Sequence, residues 1–227
     1  MEQGSTETTI PALQALVTRL GKDDELLAGQ EVGAWASQLR LAGAALAATQ
    51  PALHALAVGG TAVGTGLNSH PDFAAAVCRE LGQRTGMTFV PAPDRFAALS
   101  GHEPLVAVHG ALKLLAVALS KMANDLRLLA SGPRGGLAEW LLPANEPGSS
   151  IMPGKVNPTQ CEALAMVCCQ VMGNDLAVTL GAAGGHLQLN TFKPLIIANV
   201  LRSIRLLADA MQSFETYTVR GMVPDAR

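Results

Sequence analysis

Apolar residues recur at three- and four-residue intervals through most of this chain, in unusually long runs. From Leu26 to Ala57, Trp35, Leu39, Leu46, Leu53 and Leu56 keep helical spacing. Pro51 lacks the amide that a helix interior needs, so a kink or break is expected near Thr49. A second stripe, Val106, Leu112, Leu115, Leu119, Met122 and Leu126, predicts a helix over about Glu103 to Ala130. Further helices are expected from Asn157–Pro158 past Met172 and from Lys193 to Phe214. A shorter one is expected over Thr8 to Leu20, with Pro11 in its first turn. These patterns exceed the common helix length of about eleven or twelve residues, and none has β-branched strands beside it. The prediction is an all-α fold, an elongated bundle of about five long helices. The apolar arcs are wide, which predicts burial on more than one side and oligomerisation through helix faces.

Composition narrows the class. With 49% of residues apolar and 15% charged, the chain can fill a core and does not read as disordered. A net charge of −2 without a basic block argues against a nucleic-acid partner. Met1 to Thr9 is polar and acidic, so no signal peptide is expected. No uninterrupted apolar run is long enough to span a bilayer, so no membrane partner is expected either. Cys78, Cys161, Cys168 and Cys169 show no C-x-x-C spacing, and adjacent Cys168 and Cys169 should point to different helix faces. Free thiols in the cytoplasm are expected, rather than disulfides or a metal site.

Two stretches between helices hold the candidate chemistry. Gly59 to Asn68 contains G-x-G, but a helix precedes it and no Gly-Lys-Ser/Thr follows, so neither nucleotide motif fits. It reads either as a helix connection or as backbone that approaches a small ligand, with Thr61, Thr65 and Asn68 supplying hydrogen bonds. The second stretch, Asn145 to Pro158, sets Ser149 and Ser150 among prolines and glycines, with Lys155 following. Asn157 reads as a helix cap, Pro158 as the first helical residue and Gln160 as the capping-box partner. A helix N-terminus beside a lysine makes a carboxylate pocket, and an ordinary capped loop is the other reading.

The run Gly148-Ser149-Ser150-Ile151-Met152-Pro153-Gly154-Lys155-Val156-Asn157-Pro158 resembles the signature loop of the fumarase/aspartase superfamily. Its continuation, Thr159-Gln160-Cys161-Glu162-Ala163, resembles the class II fumarases within it. Gly60 to Asn68, Ser131-Gly132-Pro133-Arg134 and Asn190-Thr191-Phe192-Lys193-Pro194 are similar to further segments of that branch. The resemblance implies reversible hydration of fumarate to malate, as in the tricarboxylic acid cycle, without metal or organic cofactor. It implies Ser149 as the base that takes the C3 proton, with Lys155 neutralising a substrate carboxylate and Glu162 as the acid paired with a catalytic histidine. Ser150 and Asn157 would hold carboxylate oxygens, with Thr61 and Asn68 as further substrate contacts. It also implies a homotetramer whose site is assembled from several subunits.

The chain departs from that pattern before Gly29-Gln30-Glu31. Family members carry a Gly-Arg-Thr-His-Leu-Gln-Asp-Ala-like segment there, whereas this chain has Gly21-Lys22-Asp23-Asp24-Glu25-Leu26-Leu27-Ala28. None of the five histidines sits in a matching motif. His54 reads as a helix-surface residue or a subunit contact and His70 as part of a turn. His102 and His109 read as structural, and His186 precedes a family-like segment. The comparison predicts a single central helical domain over 1–227, without the family's N- and C-terminal domains. It also predicts weakened or lost activity, and the alternative reading is a catalytically silent helical oligomer that keeps the scaffold.

Overall fold

The computed structural model describes residues 26–225, together with Pro11, Gln14 and Ala15. Most of the helix expected over Thr8 to Leu20 and most of the segment Gly21 to Ala28 lie outside the described residues. Six α-helices are described: α1 (Leu26–Leu53), α2 (Phe73–Thr85), α3 (Arg95–Ser100), α4 (Glu103–Leu129), α5 (Thr159–Ala183) and α6 (Lys193–Phe214). A π-helical turn, Glu215–Val219, follows α6. Four two-residue strands complete the description: β1 (Ala55–Leu56), β2 (Val90–Pro91), β3 (Trp140–Leu141) and β4 (Val223–Pro224). The fold is all-α, as the apolar periodicity predicts.

Differences from the expected elements have local causes. The first long helix is not broken near Thr49, because α1 runs to Leu53 with Pro51 inside its last turn. The proline loses the one hydrogen bond its missing amide would have made, and only two helical residues lie beyond it to be redirected. Helices α2 and α3 fall in a stretch where the long apolar stripes lapse. Both still carry terminal signals. Gly86 ends α2 in the left-handed conformation at φ 72°, and the Asp94 side chain caps α3 by accepting from the Ala97 amide.

By contacts the chain forms two compact units. Among the described residues, the first comprises those up to 44, 112–173 and those from 202 on. Its core is a stripe from each of four helices: Trp35 and Leu39 of α1, Leu115, Leu119 and Met122 of α4, Leu164 and Val171 of α5, and Leu207, Met211 and Phe214 of α6. Trp35 satisfies its buried indole by donating Nε1–H to Asp125 at 3.3 Å, and Lys121 pairs with the same carboxylate. Strands β3 and β4 pair antiparallel, Trp140 opposite Pro224 and Leu141 opposite Val223. This ties residues 139–141 to the segment that follows α6.

The second unit comprises residues 45–111 and 174–201. Strands β1 and β2 pair in parallel, Ala55 opposite Val90 and Leu56 opposite Pro91. His109, wholly buried, lies with Nδ1 3.2 Å from Asp175 Oδ1. Asn190 is buried and joins two helix ends. Its Nδ2 donates to Gly181 O at 3.1 Å, and its Oδ1 accepts from the Phe192 amide at 2.8 Å.

Helices α4 and α5 are long and apolar enough, by length and average composition, to cross a bilayer. Counting only uninterrupted apolar runs misses this. Both helices also carry groups suited to a packed bundle: Lys113, Lys121, Asp125 and Arg127 along α4, and buried Asn174 and Asp175 in α5.

Candidate functional site

The signature loop closes on itself, and its residue types explain how. Met152-Pro153-Gly154-Lys155 forms a tight turn in which the Lys155 amide donates to Met152 O at 3.1 Å. Proline fixes the second position of such a turn, and the third needs positive φ, which Gly154 supplies at 80°. Across the loop the Gly148 amide donates to Lys155 O at 2.9 Å. Asn157 Nδ2 then donates to Gly148 O at 3.1 Å. A Cβ on Gly148 would stand 2.5 Å from Lys155 O, so glycine is required there for close approach.

Asn157 therefore plays a different part from the cap expected of it. Its amide latches the loop, α5 begins at Thr159, and Gln160 Oε1 accepts from Ser213 Oγ at 2.8 Å instead of reaching back to a cap. Two local pulls explain the change: the loop carbonyl needs a donor, and the α6 hydroxyl needs an acceptor.

Ser149 Oγ accepts from the Ile151 amide at 3.3 Å, and the Ser149 and Ser150 amides make no hydrogen bond among the described residues. Ser150, Ile151 and Met152 are exposed, with Ile151 at 84%. The Lys155 ammonium is exposed too. Lys155 and Asn157 border a cleft of about 590 Å³, together with Trp140, Leu141, Pro133 and Asp225. Ser149, Ser150 and Glu162 do not line it. Glu162 instead borders a groove of about 660 Å³ on α4 and α5, with Arg127, Cys169 and Gln170. There its Oε1 accepts from Arg127 Nη2 at 3.1 Å. Sequence reasoning missed Arg127, whose signal was a basic residue in the last turn of a helix. It also missed Thr159, whose Oγ1 is buried without a partner at the start of α5.

The glycine-rich stretch, in the second unit, folds on its own account. Gly64 and Gly66 amides both donate to Gly60 O, at 2.9 and 3.1 Å, and Arg95 donates to Gly59 O at 3.2 Å. A Cβ on Gly64 would meet Phe96 at 2.8 Å. Close packing against this chain's own residues accounts for Gly64. Thr61 and Asn68 are exposed and left-handed, at φ 57° and 63°, and make no hydrogen bond among the described residues. Asparagine tolerates that conformation, whereas β-branched Thr61 is strained there. Thr65 Oγ1 accepts from the Leu67 amide at 3.2 Å, so its hydroxyl serves the turn.

The remaining titratable groups sort by burial. The Cys161 thiol is pushed up to about 11, chiefly by burial, and Cys168 to about 12 for the same reason. Cys169, next to Cys168, is exposed, as expected for different helix faces. In the second unit, burial and then the nearby Lys193 ammonium hold His102 below its ordinary value, and its Nε2 has no partner. Burial also lowers Lys193, whose Nζ donates to Leu99 O and Asn190 O. His54 packs its ring against Phe89, His70 accepts from the Asp72 amide in a turn, and His186 is exposed. Among the described residues no three His, Cys, Asp or Glu side chains cluster as metal ligands.

Known proteins are similar to this chain in sequence and fold. A family model described as Lyase matches residues 25–173. The chain is 63% identical over 198 residues to the class II fumarate hydratase of Pseudomonas putida, covering 87% of this chain and 43% of that protein. It is 60% identical over 205 residues to the class II fumarate hydratase of Chromobacterium violaceum, covering 90% and 44%. Among solved structures, the recombinant class II fumarase of Schistosoma mansoni matches with a TM-score of 0.91 and 41% identity, over 96% of this chain and 52% of that one. The chain thus spans less than half the length of the two hydratases. With the lyase model matching more than half its residues and the signature loop intact, the chain belongs to the fumarase/aspartase family of lyases.

Proposed function

We propose that this chain carries the central helical part of a class II fumarate hydratase, which adds water reversibly to fumarate to give malate. The observation that carries the reading is the closed signature loop, with Lys155 and Asn157 on one cleft. The hydratases that share its sequence support it. In the dehydrating direction Ser149 takes the C3 proton of malate, negative charge builds on the adjacent carboxylate, and the C2 hydroxyl leaves as water. An unperturbed serine is too weak a base, so its deprotonated form must be stabilised. The Ile151 amide donating to Ser149 Oγ supplies part of that. The Lys155 ammonium neutralises the carboxylate on which charge grows, and the unused amides of Ser149 and Ser150 add donors. The second N–H of Asn157 Nδ2, the first being held by Gly148 O, and the Ser150 hydroxyl complete the carboxylate contacts. Glu162 orients the group that relays the second proton.

The substrate class is a small dicarboxylate and the setting the cytoplasm, where free thiols persist. The working form is a homo-oligomer, a tetramer. Apolar side chains left exposed along α5 and α6, Met166, Leu176, Leu180 and Leu201 among them, support association through helix faces. The test is Lys155→Met assayed in the malate direction. The reading expects KM to rise and kcat to fall together, because the lost charge serves both the bound substrate and the transition state. Unchanged kinetics would remove Lys155, and the cleft with it, from the reaction.

A further inference from the structure

Arg127 lies in the last turn of α4 and Glu162 in the first turn of α5. A single hydrogen bond joins them, Nη2 to Oε1 at 3.1 Å, and Glu162 Oε2 has no partner among the described residues. The two side chains are 52% and 38% exposed. An ion pair that exposed adds little to folding. Glu162 already sits favourably beside the α5 N-terminus, so neither group needs the other for the fold. What the contact does is geometric. A guanidinium donating to one oxygen restricts where the carboxylate can lie, and it leaves the second oxygen without a protein partner, among the described residues, on a side chain that borders the groove shared with Cys169 and Gln170.

We infer that Arg127 is a positioning residue for Glu162, fixing one carboxylate oxygen so that the other is presented to the proton-relaying group. This rests on the reading of Glu162 as part of proton transfer. Arg127 then touches neither substrate nor the moving proton and acts only through Glu162. Two consequences separate that role from direct carboxylate binding. Its loss lowers kcat and leaves KM in place. It also costs nothing further once Glu162 has been neutralised.

The experiment is a double-mutant cycle on the full chain, reading malate turnover for Arg127→Gln, Glu162→Gln and the pair, with Arg127→Lys beside them. Misplacing a catalytic group by about an ångström costs on the order of a hundredfold. Arg127→Gln is therefore expected to lower kcat by about ten- to a hundred-fold, with KM within about twofold. The pair should be no slower than Glu162→Gln alone, and Arg127→Lys should recover part of the rate. Multiplicative losses, a rise in KM, or an Arg127→Gln variant as fast as the parent would overturn the inference. If the parent shows no turnover, the functional reading fails on its own, and the pair is then judged by NMR. The Arg127 guanidinium N–H signal should be resolved and shifted, and it should collapse to the free-arginine position in Glu162→Gln. A free-arginine signal in the parent would overturn the inference.

Discussion

Replacing Gly148 by alanine tests how the signature loop is held while keeping every side chain with a proposed chemical role. The new Cβ would stand 2.5 Å from Lys155 O and 3.0 Å from Lys155 C, both backbone atoms that cannot swing aside. The loop must therefore open at the Gly148-to-Lys155 hydrogen bond of 2.9 Å. The Asn157 latch to Gly148 O, at 3.1 Å, is strained with it. Each such bond contributes about 0.5–1.5 kcal/mol net, so the closed loop should lose about 1–3 kcal/mol relative to open forms. At about 1.4 kcal/mol per tenfold, local opening becomes about five- to 150-fold more frequent. Hydrogen exchange read on a peptide spanning 144–158 measures this directly, since the Gly148 and Lys155 amides are both bonded inside the loop. The buried helices should exchange as before, because the loop is largely exposed and contributes little to the core. Unchanged exchange at Gly148 and Lys155 would refute the argument, and so would equal acceleration in α4.

Other consequences follow from the same structure. His109→Ala removes a wholly buried ring and its hydrogen bond to Asp175 and should cost about 1–3 kcal/mol in urea unfolding; an unchanged midpoint would contradict a structural role for the contact. His102 is held below the ordinary histidine value of 6.5, chiefly by burial, so the unfolded chain binds the extra proton first. Stability should therefore fall as pH drops through 6.5 toward the folded-state value, and His102→Gln should flatten that limb of a pH series of melting curves. Thr61→Gly relieves a left-handed β-branched residue and should raise stability by about 1 kcal/mol, at the expense of whatever its hydroxyl binds. Iodoacetamide at mildly alkaline pH should modify Cys169 well before Cys161 and Cys168, whose thiols are buried and held protonated. Peptide mass mapping reads the order.

Much of this architecture is legible along the chain because its main helices are long. A stripe such as Leu112–Leu115–Leu119–Met122–Leu126 repeats often enough to outweigh any single misleading residue, and those five side chains are all buried. Short elements lack that redundancy. Helix α2 is recognisable only from its ends, Asp72 and Gly86, and the two-residue strands have no period to read. Pro51 shows a second limit: its effect depends on its distance from the helix end, which the residue itself does not state. In the signature loop the backbone requirements are readable, since Pro153-Gly154 demands a turn and the glycines demand close approach. Side-chain partners are less so. Asn157 has the identity and position of a cap and works as a latch, because Gly148 O lies nine residues back in sequence but beside it in space. Arg127 meets Glu162 across thirty-five residues, a pairing that no local pattern encodes.

The central claim is that this loop performs proton chemistry on a small dicarboxylate. Its most direct test follows fumarate absorbance as the purified chain, in its assembled form, is given malate, with Ser149→Ala run in parallel. Fumarate should form, and its rate should fall by about a hundred- to ten-thousand-fold in the variant, the usual cost of losing one acid–base group. Equal rates from the two proteins, or no fumarate from a well-assembled parent, would contradict that claim.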